Sequence, residues 1–328
     1  MKKRNMIISG GLCLLLSLAA CGRAPAVPAA SAAPAAAPAV TAVTVIEKRT
    51  PAPAAEALQI LLDGEEEAER IQGGCVSVAD QLPCTVDLDG DGIDEVLDLA
   101  VYTKPEDDCP RWALVLTRDG QESRFETWIP CDSWYDLWVG DLDADGAYEI
   151  FFHGDTASDD YLIYAFRSDL APIPFAPDER LYRWGITDGG ETLDARVDGF
   201  EEGYMVVTGP VNMLGTRDGL RTYGIDESGV MVPLTTVWTF EEDDERYLTV
   251  TKELTAYKAG LRKDPGEAFT LEAGAKVWPL GSDGYSRLWF KTGTGRTGVL
   301  LLTPDEEEMW LIDGVPEAEF FEYLPYAG

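Results

Sequence analysis

Two nine-residue runs, Asp-Leu-Asp-Gly-Asp-Gly-Ile-Asp-Glu from Asp87 to Glu95 and Asp-Leu-Asp-Ala-Asp-Gly-Ala-Tyr-Glu from Asp141 to Glu149, begin 54 residues apart. Both place acids at positions 1, 3, 5 and 9 and a glycine at position 6. In the first these are Asp87, Asp89, Asp91, Gly92 and Glu95; in the second, Asp141, Asp143, Asp145, Gly146 and Glu149. So many carboxylates in so short a run repel one another unless a hard cation sits among them. Calcium (Ca2+) suits such a loop, because it takes six to eight oxygens and the glycine lets the chain turn around it. The position-7 carbonyls, those of Ile93 and Ala147, are the expected backbone ligands.

The flanks decide the kind of calcium site. A helix–loop–helix site needs a bidentate Glu at position 12, where this chain has Asp98 and Phe152. The runs that leave the two loops, Glu-Val-Leu-Asp-Leu-Ala-Val-Tyr and Glu-Ile-Phe-Phe-His-Gly, read as short strands. The sequence therefore predicts strand–loop–strand calcium sites. A fainter third copy runs from Asp194 to Glu202, with Asp198, Gly199 and Glu202 in place but Arg196 at position 3. It is expected to keep the loop fold, with a guanidinium pairing with the acids where the ion would be.

The stretches from Val86 to Leu99 and from Val139 to Phe152 resemble the FG-GAP/VCBS-type repeats of integrin-like β-propellers and bacterial surface proteins. The resemblance covers about residues 75 to 210. It implies calcium held in a loop between two strands of a blade, by Asp87, Asp89, Asp91 and Glu95 and by Asp141, Asp143, Asp145 and Glu149. A full seven-bladed ring at this spacing needs more chain than is present.

The N-terminal residues indicate where these loops operate. Lys2, Lys3 and Arg4 precede an apolar run, Met6 to Leu18, too short for an ordinary membrane span. Leu18-Ala19-Ala20-Cys21, with Gly22 next, resembles the lipobox of bacterial lipoproteins. That resemblance implies cleavage of residues 1–20, acylation of Cys21 and a protein anchored by lipid on the extracytoplasmic face of the membrane. Residues 21–57 are rich in alanine and proline, cannot pack a core, and read as a tether reaching on the order of 100 Å if extended. The formal charge is −33, and residues 1–20 contain three basic residues and no acid. Such acidity argues against nucleic acid as a partner.

The folded part is expected to be all-β, a propeller-like repeat domain over 58–245 and then a small barrel-like domain over 246–328. One helix is expected from about Ala55 to Ile71. Within 246–328, Leu254, Leu261, the run Leu271 to Val277, Trp289 and Thr297-Gly298-Val299 resemble bacterial Src-homology-3-like modules. The alternative is that these residues complete a single five-bladed propeller. Four cysteines lie beyond Cys21, at positions 75, 84, 109 and 131, and an exported chain favours disulfides among them. Asp119-Gly120 marks a hairpin turn between strands near 111–116 and 125–129, which puts Cys109 opposite Cys131 and leaves Cys75 for Cys84.

Catalytic signatures are scarce. His153 is the only histidine and is read as a strand residue; the nucleophile-elbow, phosphate-loop and zinc-protease patterns are missing. The cluster Trp134-Tyr135-Asp136-Leu137-Trp138 could stack on sugar rings, although strands before a loop usually bury such residues. The sequence reading is thus a non-catalytic, calcium-stabilised binding module whose partners are the membrane, through its lipid, and a cell-wall glycan or surface protein. A glycan-active hydrolase using paired carboxylates on the same scaffold is the alternative.

Overall fold

The computed structural model describes residues 71–104, 109–157, 160–176, 190–241, 243, 245–259, 266–305 and 310–326. The expected signal segment, Cys21, the expected tether and the expected helix as far as Arg70 lie outside these. Every described residue belongs to one compact unit.

The described residues form an all-β structure built from antiparallel sheets. Strand β1 (Ile71–Gln72) turns into β2 (Cys75–Ser77) through Gly73 and Gly74, both at positive φ, so Ile71 is in a strand. Next come β3 (Cys84–Val86), β4 (Glu95–Tyr102), β5 (Arg111–Arg118) and β6 (Gln121–Pro130), a meander in chain order. The turn between β5 and β6 is Asp119-Gly120, with φ of 51° and 72°, as a two-residue hairpin of this hand requires. A second meander contains β7 (Tyr135–Gly140), β8 (Glu149–Ala157), β9 (Asp160–Phe166) and β10 (Thr192–Leu193). β2 adds to its β7 edge and β1 lies beyond. The two acidic loops therefore hold matching places, each joining the first strand of a meander to the second.

A larger sheet takes up most of the remaining chain. It contains β11 (Arg196–Glu201), β12 (Tyr204–Asn212), β13 (Thr216–Ile225), β14 (Met231–Pro233) and β15 (Trp238–Phe240). It also contains β16 (Leu248–Thr249), β17 (Leu254–Lys258), β18 (Ala268–Leu271), β19 (Lys276–Ser282), β20 (Arg287–Thr292) and β21 (Thr297–Leu301). Its main order is β11-β12-β13-β15-β19-β20-β21-β17-β18. A small sheet of β22 (Thr303–Pro304), β23 (Trp310–Ile312) and β24 (Val315–Pro316) comes last among the sheets, and the described chain runs on to residue 326.

No sheet among the described residues closes into a barrel, and residues 196–301 build one large sheet in place of further four-stranded meanders. The expected division at 245/246 falls inside that sheet, where Trp238 of β15 pairs with Ser282 of β19. Glycine makes this join possible. A Cβ on Gly209 would lie 3.2 Å from the Trp238 ring and one on Gly219 would lie 2.9 Å from its Cβ, so the bare backbones let the indole lie flat across them.

Two buried clusters hold the sheets together. Leu88, Leu97, Leu114, Val139, Ile150, Phe152 and Phe166 pack between the two meanders. Trp138, Phe151, Ile163 and Ala165 instead join Phe200, Tyr223, Trp238 and Phe290 of the large sheet. Successive side chains of a strand point to opposite faces, so β8 sends Phe151 to one core and Ile150 and Phe152 to the other. The second meander is thus a middle layer covered on both faces, which explains its apolar runs without alternation.

Candidate metal centres

Each acidic loop folds around its own first aspartate. In the first, the Asp91 and Gly92 N–H groups donate to the two Asp87 oxygens at 3.1 and 2.9 Å, and Asp91 N–H also reaches Asp89 Oδ1 at 3.2 Å. In the second, Asp145 and Gly146 donate to Asp141 at 3.0 and 3.1 Å, and Asp145 to Asp143 at 3.2 Å. Gly92 and Gly146 supply the positive φ, 85° and 96°, that closes each turn. The position-9 glutamate seals the loop from below: Leu88 N–H donates to Glu95 and Leu142 N–H to Glu149, both at 2.8 Å.

This folding gathers acids that the chain alone would keep apart. Asp87, Asp89 and Glu95 bring one oxygen each to within 4.8 Å of one another, and Asp141, Asp143 and Glu149 do the same. Either trio could hold a metal ion, and its donors are the hard oxygens that calcium, magnesium or manganese take. Asp91 and Asp145 stand outside the trios; their Oδ1 atoms accept the N–H groups of Ile93 and Ala147 at 2.7 and 2.9 Å.

An arginine completes each loop. Arg118 meets Glu95 Oε1 at 2.8 Å and Asp89 Oδ2 at 3.0 Å. Arg167 lies 3.3 Å from both Glu149 Oε1 and Asp143 Oδ2. Strand register puts them there. Val96 pairs with Thr117 and Ile150 with Phe166, so the next residue along each facing strand is an arginine opposite a position-9 glutamate. The sequence reading missed both. The signal lay in counting back along the strand after each loop's hairpin, since Arg118 and Arg167 are far from the loops in the chain.

Burial dominates the electrostatics. Glu95 and Glu149 are 0% and 1% exposed. Burial, then the Asp143 charge, pushes Glu149 up to about 8 against the opposing Leu142 N–H and Arg167. Asp141 is raised by burial too, against the N–H groups of Gly146 and Asp145. The loops also touch: Tyr148 N–H donates to Leu88 O at 2.7 Å, and a Cβ on Gly90 would lie 3.2 Å from Gly146 O.

Other expected features are corrected. The third copy is not a loop: Arg196 to Glu201 is strand β11, paired along β12, because Val197 and Phe200 are buried at strand positions. The four described cysteines are free thiols rather than two disulfides. Cys75 and Cys84 are buried in different clusters, which separates them. Cys109 and Cys131 do flank the open end of the β5–β6 hairpin, where Cys131 N–H donates to Pro110 O at 3.0 Å, but both remain thiols. His153 is a strand residue, 1% exposed, with both ring nitrogens unpartnered among the described residues and its pKa lowered to about 3 by burial and then by Arg196. Of the aromatic cluster, Trp138 is core, whereas Trp134 is exposed and packs edge-on against His153. No helix among the described residues is long and apolar enough to cross a membrane.

Comparison of the chain with protein-family profiles, with curated proteins and with solved structures returns no match.

Proposed function

We propose that the two loops are calcium sites and that the protein is a calcium-stabilised, non-catalytic binding module, held on the outer face of a bacterial membrane by lipid on Cys21. The observation that carries the metal reading is the repetition. Two acid trios, each braced by Asp-turn hydrogen bonds, recur at the same place in two meanders. Merely solvated acidic turns have no reason to share a buried position-9 glutamate and its donor. An FG-GAP/VCBS-like loop would place calcium in this setting, with Asp91 and Asp145 swinging in as further ligands. Bound calcium would stabilise the fold by mass action, by about 2.7 kcal/mol per site at a hundredfold excess over Kd.

The binding role draws support from the surface. Trp128 and Trp134 are 61% and 53% exposed, and the Arg111 guanidinium stacks 4.1 Å from the Trp128 ring centre. Aromatic faces of this kind suit sugar rings, in keeping with a cell-wall glycan as partner.

Calorimetric titration of the chelator-treated protein with calcium, with a melting curve at each step, tests the metal reading. Two equivalents and a rising Tm are expected, with magnesium binding more weakly; no heat and no change in Tm would reject it. Loss of palmitate labelling in Cys21→Ala tests the anchor.

A further inference from the structure

The C-terminal half of the large sheet differs in charge from the rest of the chain. Strands β17 to β21 carry Lys258, Lys276, Arg287 and Lys291 and no acid, in a protein with 59 acids and 26 lysines and arginines. Alternation along each strand sorts the side chains. Val277, Leu288, Phe290 and Leu300 belong to the core behind the sheet, so Lys276, Trp278, Arg287, Trp289 and Lys291 point the other way. Register gathers them: Trp278 pairs with Lys291, and Trp289 with Val299, which pairs in turn with Tyr257. Val299 is buried yet belongs to neither core cluster, as a small residue between two large aromatic ones on an outer face should be.

Rings and cations alternate on this face. A Cβ on Gly293 would lie 3.6 Å from the Trp278 ring, so that indole covers bare backbone. Tyr247, 37% exposed, packs against it with ring centres 5.4 Å apart, and Lys276 Nζ stands 3.8 Å from the Tyr247 ring centre. Arg287 and Lys291 are four residues apart in β20, on the order of 13 Å, with Trp289 between them. Lys276 is exposed, and Trp278, Arg287, Trp289 and Lys291 are half-buried. The described acids nearest these strands in the chain are already engaged. Asp283 Oδ1 accepts the N–H groups of Tyr285, Ser286 and Arg287 at 2.9, 2.8 and 2.8 Å, and Glu267 pairs with Lys258.

This pattern sets the ligand class. Aromatic faces take the apolar faces of sugar rings, and lysine and arginine take carboxylates. Repulsion from the chain's net charge of −33 is screened beyond about 8 Å at physiological ionic strength, so for a ligand of low charge density the local face decides. A nucleic acid or polyphosphate, charged at every unit, meets more of that repulsion. A bilayer calls for side chains that protrude, whereas these indoles are half-buried. We propose that this face binds an acidic polysaccharide in which uronate rings alternate with neutral ones. Its carboxylates pair with Lys276, Arg287 and Lys291, and its rings stack on Trp278 and Trp289. The site gives the binding role a second surface and a ligand chemistry, and rests on that role only in taking the protein to meet a glycan; the acidic loops play no part in it.

The test titrates the purified protein, at low and at physiological salt, with a hyaluronan hexasaccharide, its methyl ester, a polyphosphate of matched charge and phosphatidylglycerol vesicles. Saturable binding of the hexasaccharide is expected, weaker at higher salt and about tenfold weaker for the uncharged ester. Lys276→Glu and Trp289→Ala should each weaken binding about tenfold. Lys276→Gln, a milder change that should keep the native Tm, should weaken it about threefold. Trp128→Ala, on the other aromatic surface, should leave the affinity unchanged. Failure of the hexasaccharide to saturate the protein, or undiminished binding by both Lys276 variants, would overturn the site. Equal binding of the ester, or binding of polyphosphate or vesicles as tight as that of the glycan, would overturn the ligand assignment. Glycan binding lost in Trp128→Ala but kept in Lys276→Glu would leave the glycan-binding role standing on the first meander and overturn this face.

Discussion

Glu95 and Glu149 hold carboxyl groups almost wholly out of water, and an arginine faces each of them. A carboxylate stripped of its partner in a buried setting costs several kcal/mol, less where the partner itself is one-third exposed, as Arg118 and Arg167 are. Arg118→Met or Arg167→Met should therefore lower stability in chelator by about 2 kcal/mol, read from denaturant melts. Saturating calcium should restore most of that loss, because the ion takes over the same two oxygens. A loss that calcium leaves untouched would mean the arginine and the ion act at different places. The acids of the loops were legible from spacing alone, since repetition of types and positions needs no tertiary information. The arginines were not, because only the strand register brings Arg118 to Glu95 and Arg167 to Glu149.

At the level of elements, Asp194 to Glu202 shows how a spacing can mislead. Its acids match the loop pattern, but Val197 and Phe200 are buried in β11 and the segment pairs with β12. Tertiary burial overrides a local acidic pattern when the intervening residues are apolar. Arg196→Asp should accordingly leave calcium stoichiometry unchanged; a third equivalent in calorimetry would show that the segment can still form a loop. The Asp119-Gly120 hairpin was readable, because the turn chemistry is local and strong. The large sheet was not: its joining strand β15 is three residues long, and glycines 209 and 219 matter only once Trp238 lies over them.

For the whole molecule, two buried groups pull stability in opposite directions with pH. Glu317, bonded by the Tyr326 hydroxyl and Leu214 N–H, is pushed up to about 7 by burial. Its folded pKa is raised, so its contribution is full below about 4.5 and is lost as pH rises toward 7. His153, lowered to about 3 by burial, contributes fully above about 6.5 and loses that contribution as pH falls. Glu317→Gln should flatten the decline between pH 4.5 and 7, by at most about 3 kcal/mol. His153→Leu should flatten the acid-side decline instead. Tm measured against pH for both variants checks this; parallel curves for variant and native protein would contradict it.

The arginine in each acidic loop also bears on timing. A loop that had to wait for calcium would stay splayed by its own repulsion until the ion arrived. Arg118 and Arg167 come from the strand that pairs next beside each loop's second strand, so completing the meander delivers the counter-charge. Folding can then finish in calcium-poor surroundings. If the loops bind calcium as proposed, arrival of the ion would lengthen the life of a structure already built, and its withdrawal would return the loops to the arginines instead of unravelling them.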